Sequence, residues 1–259
     1  MEYFEKITEK PAEDLSWNIP ERKSGVVNIV GGNNQNFRTE VKIAEFLEKN
    51  YPIESIRTVL PDALKNKLPN LDNFMFLSST ESGSFKSDEE LLEVFNMGDF
   101  TLLIGDFSKN SITGRALVSA CVNSEKPLFL TRDTIDLIAE ENLEDILLKS
   151  DIYFFLSMPQ LQKLLHAIYY PKMLTLSMPL TQVAEVLHKF TLSYPTNIIT
   201  LCNGQILIAQ NGKVVTVPLE KTGYSPIMIW SGEFVSKIFA LNLYNPDNFI
   251  KASIAGIFS

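Results

Sequence analysis

The sequence predicts an α/β fold: a mainly parallel β-sheet with helices on both faces and an antiparallel edge hairpin late in the chain. Three observations carry that expectation. Short β-branched runs alternate with segments of helical period, and glycines stand directly after several of those runs. Beyond Asn197, three strand-like runs follow one another with no room for helices between them.

Residues 1–24 are polar, carry Pro11 and Pro20, and are expected as an arm packed on one α/β domain of residues 25–259. Val26 to Val30 reads as a buried strand that stops at Gly31-Gly32. After an Asn-rich turn, Val41, Ala44 and Leu47 keep helical spacing with charges on the opposite face. Ser55–Leu60 and Phe74–Leu77 read as the next strands. Ser87-Asp88-Glu89-Glu90 reads as a capping box ahead of Leu91 and Val94. Phe100 to Ile104 is a buried strand ending at Gly105-Asp106, followed by a helix over 112–122. Further strands are expected at 127–131 and 152–156, with helical sequence around the latter. The late strands are 198–201, 206–209 and 214–217. Asn211-Gly212 is a two-residue hairpin signal, and helical sequence runs from about Gly232 onward.

The formal charge of −8 argues against non-specific nucleic-acid binding, which needs clustered Lys and Arg. No apolar run approaches the ~20 residues that span a bilayer, and the polar, acidic start is unlike a secretory leader. A cytoplasmic protein with no membrane contact is therefore expected. Cys121 and Cys202 lie far apart in apolar stretches and read as buried free thiols. His166 and His188 sit in helical stretches without metal-ligand spacing and read as surface or packing residues. No metal site is expected.

In an open α/β sheet, ligands bind outside the carboxyl ends of the strands. The candidate loops there hold Gly31, Gly32 and Asn33; Gly105 and Asp106; Asp133; Asn203 and Gly204; and Ser231, Gly232 and Glu233. Glycine allows close backbone approach, and a helix N-terminus offers N–H groups to an anion. Gly31-Gly32 suits a plain turn as well as a ligand contact. Asp106 and Asp133 could serve as helix caps instead. Glu233 opens a helix, where a carboxylate could act as general base on a hydroxyl beside a phosphate, or be an ordinary first-turn residue.

Taken in order, these segments resemble the ribokinase-like superfamily, in particular its NAD(P)H-hydrate dehydratase branch. Pro20 to Gly25 followed by VVNIVGGN resembles that branch's start, and Val59-Leu60-Pro61 resembles the segment after its second strand. LLIGDF (102–107) and PLFLTRDTIDLI (127–138) stand where it has a glycine turn and an aspartate pair. FFLSMPQLQKLL (154–165), IITLCNGQILIAQNGKVVTV and IMIWSGEFVSKIFAL correspond to its remaining motifs. The resemblance implies an ADP- or ATP-dependent enzyme, with or without magnesium, that phosphorylates hydrated NAD(P)H and eliminates phosphate. Glu233 would be the base, and Ser231, Gly232, Asn203 and Gly204 would hold phosphate. Gly31, Gly32, Asn33, Gly105, Asp106 and Asp133 would face the substrate. It also implies a small-molecule partner related to NAD(P)H and homo-oligomeric assembly.

The departures matter as much. Glu233 stands where the family has aspartate, one methylene longer, and Ile229 and Trp230 replace glycines before it. Met158-Pro159-Gln160-Leu161 lacks the family's histidine and acid, and Leu201-Cys202-Asn203-Gly204 lacks its lysine. Only Asp133 of the aspartate pair remains, and Ser259 falls before the helices that follow in the family. Two alternatives therefore stay open: a catalytically inactive relative kept for ligand binding or assembly, and a sugar or vitamin kinase.

Overall fold

The computed structural model describes residues 2–9, 18–68, 72–226 and 231–259. Its strands are β1 (Phe4–Lys6), β2 (Val26–Gly31), β3 (Ser55–Pro61), β4 (Phe74–Leu77), β5 (Phe100–Gly105), β6 (Leu128–Thr131), β7 (Ile152–Ser157), β8 (Asn197–Cys202), β9 (Gln205–Gln210) and β10 (Lys213–Pro218). The helices are α1 (Arg38–Asn50), α2 (Asp88–Met97), α3 (Ser111–Asn123), α4 (Asp133–Ile138), α5 (Glu144–Leu147), α6 (Met158–Ala167), α7 (Leu180–Ser193), α8 (Glu233–Tyr244) and α9 (Phe249–Phe258). The described chain forms two compact units, residues 20–146 and residues 147–259 with 1–19.

In the 20–146 unit the strand order is β6-β5-β2-β3-β4 and every pairing is parallel. Strands buried on both faces need apolar side chains on both, which is why β2 and β5 read as continuous runs. Val27, Ile29, Val30, Leu102, Leu103 and Ile104 are all fully buried. Asn28 is the polar exception in β2. Its amide donates to Val94 O at 2.7 Å and Thr101 Oγ1 at 3.1 Å, tying α2 to the sheet. Ser87 caps α2 by accepting from Glu90 N at 3.2 Å, as the sequence suggests. The Glu90 carboxylate turns instead to Ser78 N at 2.7 Å, so the reciprocal half of the box is absent.

In the other unit the order is β1-β10-β9-β8-β7. β7 and β8 are parallel; β8, β9 and β10 form the expected antiparallel meander. Asn211 (φ +47°) and Gly212 (φ +77°) make its tight turn, both in the left-handed region that such a hairpin requires. Beyond β10 lies β1, paired in parallel, from a segment in which the sequence shows no strand signal. The rest of the expected N-terminal arm, Met1 and residues 10–17, lies outside the described residues. Tyr153 stacks obliquely on Phe249, and Phe155 on Phe234, so α8 and α9 cover aromatic side chains of β7. His188 on α7 binds Gly212 O and stacks on Tyr3 at 3.9 Å, a packing role. Cys121 and Cys202 are buried free thiols, and burial pushes the Cys202 thiol up.

Candidate functional site

The carboxyl ends of β2, β5 and β6 bring Gly31, Gly32, Asn33, Gly105, Asp106 and Asp133 together. Gly32 N–H donates to Gly105 O at 2.8 Å, and Asn33 Nδ2 donates to Asp106 O at 2.6 Å. Asn33 also folds its own loop, its Oδ1 accepting from the Gln35 and Asn36 amides. Gly105 is required: its φ is +95°, and a β-carbon there would lie 1.9 Å from Asp133 Oδ1. Asp133 explains the crowding. Its carboxylate accepts from Asp106 N at 2.7 Å and Phe107 N at 3.1 Å.

Neither aspartate caps a helix. The N-caps of α3 and α4 are Asn110 and Arg132. Asp133 instead fills the amide pair that a glycine turn would otherwise offer to an anion. Asp106 accepts from Arg132 Nη2 at 2.7 Å and Thr39 Oγ1 at 2.9 Å. Both members of the Asp106–Arg132 pair have positive φ, +57° and +55°. With ψ at −137°, Arg132 occupies a region that side chains rarely enter. Burial pushes the Asp133 carboxyl up and the nearby Asp106 charge adds to it, while the Asp106 amide and Arg132 pull it down. A hollow of about 290 Å³ opens beside this cluster, lined by Gln35 to Thr39 and Asp106.

Arg132 belongs to the candidate loop Thr131-Arg132-Asp133 but has no role legible in the sequence, and Thr39 and Glu40 lie outside every candidate loop. For Glu40 a signal existed. The buried residues of α1 are Glu40, Ile43, Ala44 and Leu47, an i, i+3, i+4, i+7 stripe with a carboxylate in it. Val41, which the helical spacing puts on the buried face, is only half-buried.

In the other unit, Gly232 (φ +96°) is the N-cap of α8 and Glu233 its first residue. A glycine N-cap supplies no side-chain acceptor for the first-turn amides. Gly232 is buried, whereas Ser231 and Glu233 are exposed. Inside the helix, Ser236 donates from both N (2.9 Å) and Oγ (2.6 Å) to Gly232 O, which fixes the glycine. Phe234 meets Tyr224 edge-on, and Lys237 Nζ lies 5.3 Å from the Tyr224 ring centre. Asn203 (φ +49°) and Gly204 (φ +70°) form the β8–β9 turn, with Asn203 Nδ2 donating to Met178 O at 3.2 Å. A β-carbon on Gly204 or Gly223 would meet nothing within 4 Å, so backbone there is open to a ligand. Ile229 and Trp230 lie outside the described residues. Met158 to Leu161 opens α6 behind a complete capping box: Ser157 Oγ accepts from Gln160 N at 3.3 Å, and Gln160 Oε1 accepts from Ser157 N at 3.0 Å. Among these residues the polar groups are spent on starting the helix.

Among solved structures, the whole chain is similar to a ribokinase-like superfamily protein of Enterococcus faecalis, at 14% identity and TM-score 0.67, covering 86% of that protein. The fold is ribokinase-like. An ADP/ATP-dependent NAD(P)H-hydrate dehydratase of Bacillus subtilis is similar over 94% of this chain and 83% of its own, at 12% identity and TM-score 0.59. An adenosine kinase of Anopheles gambiae matches over 98% and 90%, at 10% identity and TM-score 0.55. At these identities the likeness establishes the fold. No family model matches the chain, and no curated protein does. Among the described residues no helix is long and apolar enough to cross a membrane.

Proposed function

We propose that this ribokinase-like protein binds the terminal phosphoryl group of ADP or ATP at the N-terminus of α8, with Glu233 as the neighbouring base. The observation that carries this is the start of α8: a buried glycine N-cap without a side-chain acceptor, an exposed carboxylate directly after it, and open glycine backbone at Gly204 and Gly223 in the same unit. First-turn amides and the helix dipole favour a phosphate there. Among the described residues no group of three His, Cys, Asp or Glu could hold a metal ion. Magnesium, which usually takes substrate phosphates and only one or two carboxylates as ligands, would arrive bound to the nucleotide.

The reaction that fits best is the one catalysed by the dehydratase neighbour. Glu233 accepts the proton of a substrate hydroxyl, whose oxygen bonds to the terminal phosphorus as the nucleotide's bridging P–O bond breaks. With hydrated NAD(P)H as substrate, inorganic phosphate then leaves the new ester with the electrons of the C–O bond, and transfer of a proton from the adjacent carbon to water restores the double bond. A non-catalytic ligand-binding role is the second reading. It is favoured by Asp133, which already occupies the Asp106 and Phe107 amides, and by Arg132 and Thr39, which engage Asp106. A sugar or vitamin kinase would share the same base and phosphate site.

Glu233→Gln separates these readings, because it keeps size and hydrogen bonding but removes the base. Loss of a general base typically costs ~10²–10⁴ in rate. Nucleotide-dependent repair of NAD(P)H hydrate is expected to fall by at least a hundredfold, with nucleotide binding retained. Unchanged turnover in the variant would remove Glu233 from the chemistry. Turnover with simple alcohols but not with the hydrate would select the kinase reading.

A further inference from the structure

Glu40 has no part in the chemistry above, yet its surroundings demand an explanation. It lies in the first turn of α1 with no solvent exposure, and neither carboxyl oxygen has a hydrogen-bond partner among the described residues. An ionised carboxylate in that position would be strongly disfavoured, whereas a neutral acid is tolerable. Its Oε1 lies 2.4 Å from where a β-carbon on Gly31 would stand, and Gly105 O lies 2.6 Å from the same point. These are the two glycines whose loops are joined by the Gly32 N–H to Gly105 O hydrogen bond. The ionisable groups facing Glu40 are Asp106 after β5, and Arg132 and Asp133 after β6; β2 presents only glycine.

We propose that Glu40 is a proton-operated latch. As the neutral acid it fills the gap between Gly31 and Gly105 and keeps the Asp106–Arg132–Asp133 cluster closed; without its proton it drives the cluster open. Glu40 is thus a positioning residue, and the inference does not depend on which ligand the protein takes.

Burial pushes the Glu40 carboxyl up to about 8. Asp106 and Asp133 push the same way, while Arg132 and its own backbone amide, which closes no hydrogen bond with it, pull back. The closed form therefore holds a proton that the opened, solvated acid releases near its ordinary value of 4.5. The sign follows directly: the closed state is favoured most below pH 4.5 and loses ground as pH rises. The open-to-closed ratio grows nearly tenfold per pH unit between about pH 4.5 and 8, on the order of three thousandfold in all, then levels off.

Amide hydrogen exchange on the full chain between pH 5 and 9 tests this at Gly32, Asp106 and Phe107. After correction for intrinsic exchange, wild-type protection at these amides is expected to fall nearly tenfold per pH unit and to flatten above pH 8. Glu40→Gln, neutral at every pH, is expected to show no such slope. A flat wild-type profile, or the same slope in the variant, would overturn the latch. Should the variant not fold, the wild-type Glu40 carboxyl carbon can be followed by NMR. Titration near pH 8 supports the proposal, and titration near 4.5 defeats it.

Discussion

Gly105→Ala is expected to cost about 4 kcal/mol of stability in the 20–146 unit, a large share of what a domain of this size has. Two effects add. A φ of +95° is unfavourable by ~1–3 kcal/mol for a residue with a β-carbon. That carbon would also stand 1.9 Å from Asp133 Oδ1 and displace the carboxylate from the Asp106 and Phe107 amides. Hydrogen bonds to a charged group are worth ~1.5–3 kcal/mol each, and part of that is lost. Urea unfolding of wild type and variant measures the cost. Combining Gly105→Ala with Asp133→Ala should cost less than the sum of the two single changes, because the clash disappears with the side chain. A single-variant cost below ~1 kcal/mol would mean that the turn and Asp133 are not locked together.

The second large effect is expected at Gly256, in the last turn of α9. In a helix interior Gly→Ala is favourable by ~1 kcal/mol, an upper bound for a last turn. Here the new methyl would stand 2.8 Å from Ile238 Cα and 3.0 Å from Ile238 N, which are backbone atoms of α8 that no rotamer change can move. Overpacking of this kind costs ~1–3 kcal/mol, and backbone contacts belong at the upper end. The net expectation is a loss of about 2 kcal/mol for Gly256→Ala, and a larger one for Gly256→Val, which is bulkier and gains less helix propensity. Thermal or urea unfolding reads both. A stabilised alanine variant would show that α8 and α9 do not approach as closely as Gly256 allows.

Much of the fold was legible because parallel strands buried on both faces must be apolar throughout. β2, β5 and β7 therefore stand out as β-branched or aromatic runs, and Asn211-Gly212 announces its hairpin through the left-handed backbone it adopts. β1 escaped notice because an outer strand of three half-buried or exposed residues needs no apolar run. The site was legible only in part. The glycine turns mark themselves, but the use of Asp133 as a brace depends on a contact across 27 residues that no local pattern encodes. The same holds for Arg132 on Asp106. Glu90 shows the converse failure: a local capping pattern lost its second half to Ser78, twelve residues away. Glu40 does carry a periodic signature, because it stands on the same stripe of α1 as Ile43, Ala44 and Leu47.

A nucleotide phosphoryl site at the start of α8 is tested most directly by thermal unfolding of the full chain with ADP or ATP, with and without magnesium. At a hundred times its dissociation constant a nucleotide stabilises the folded state by ~2.7 kcal/mol, which raises the midpoint of a protein this size by a few degrees. Such a rise is expected with ADP or ATP. An unmoved midpoint with every adenine nucleotide, up to millimolar concentration, would contradict it.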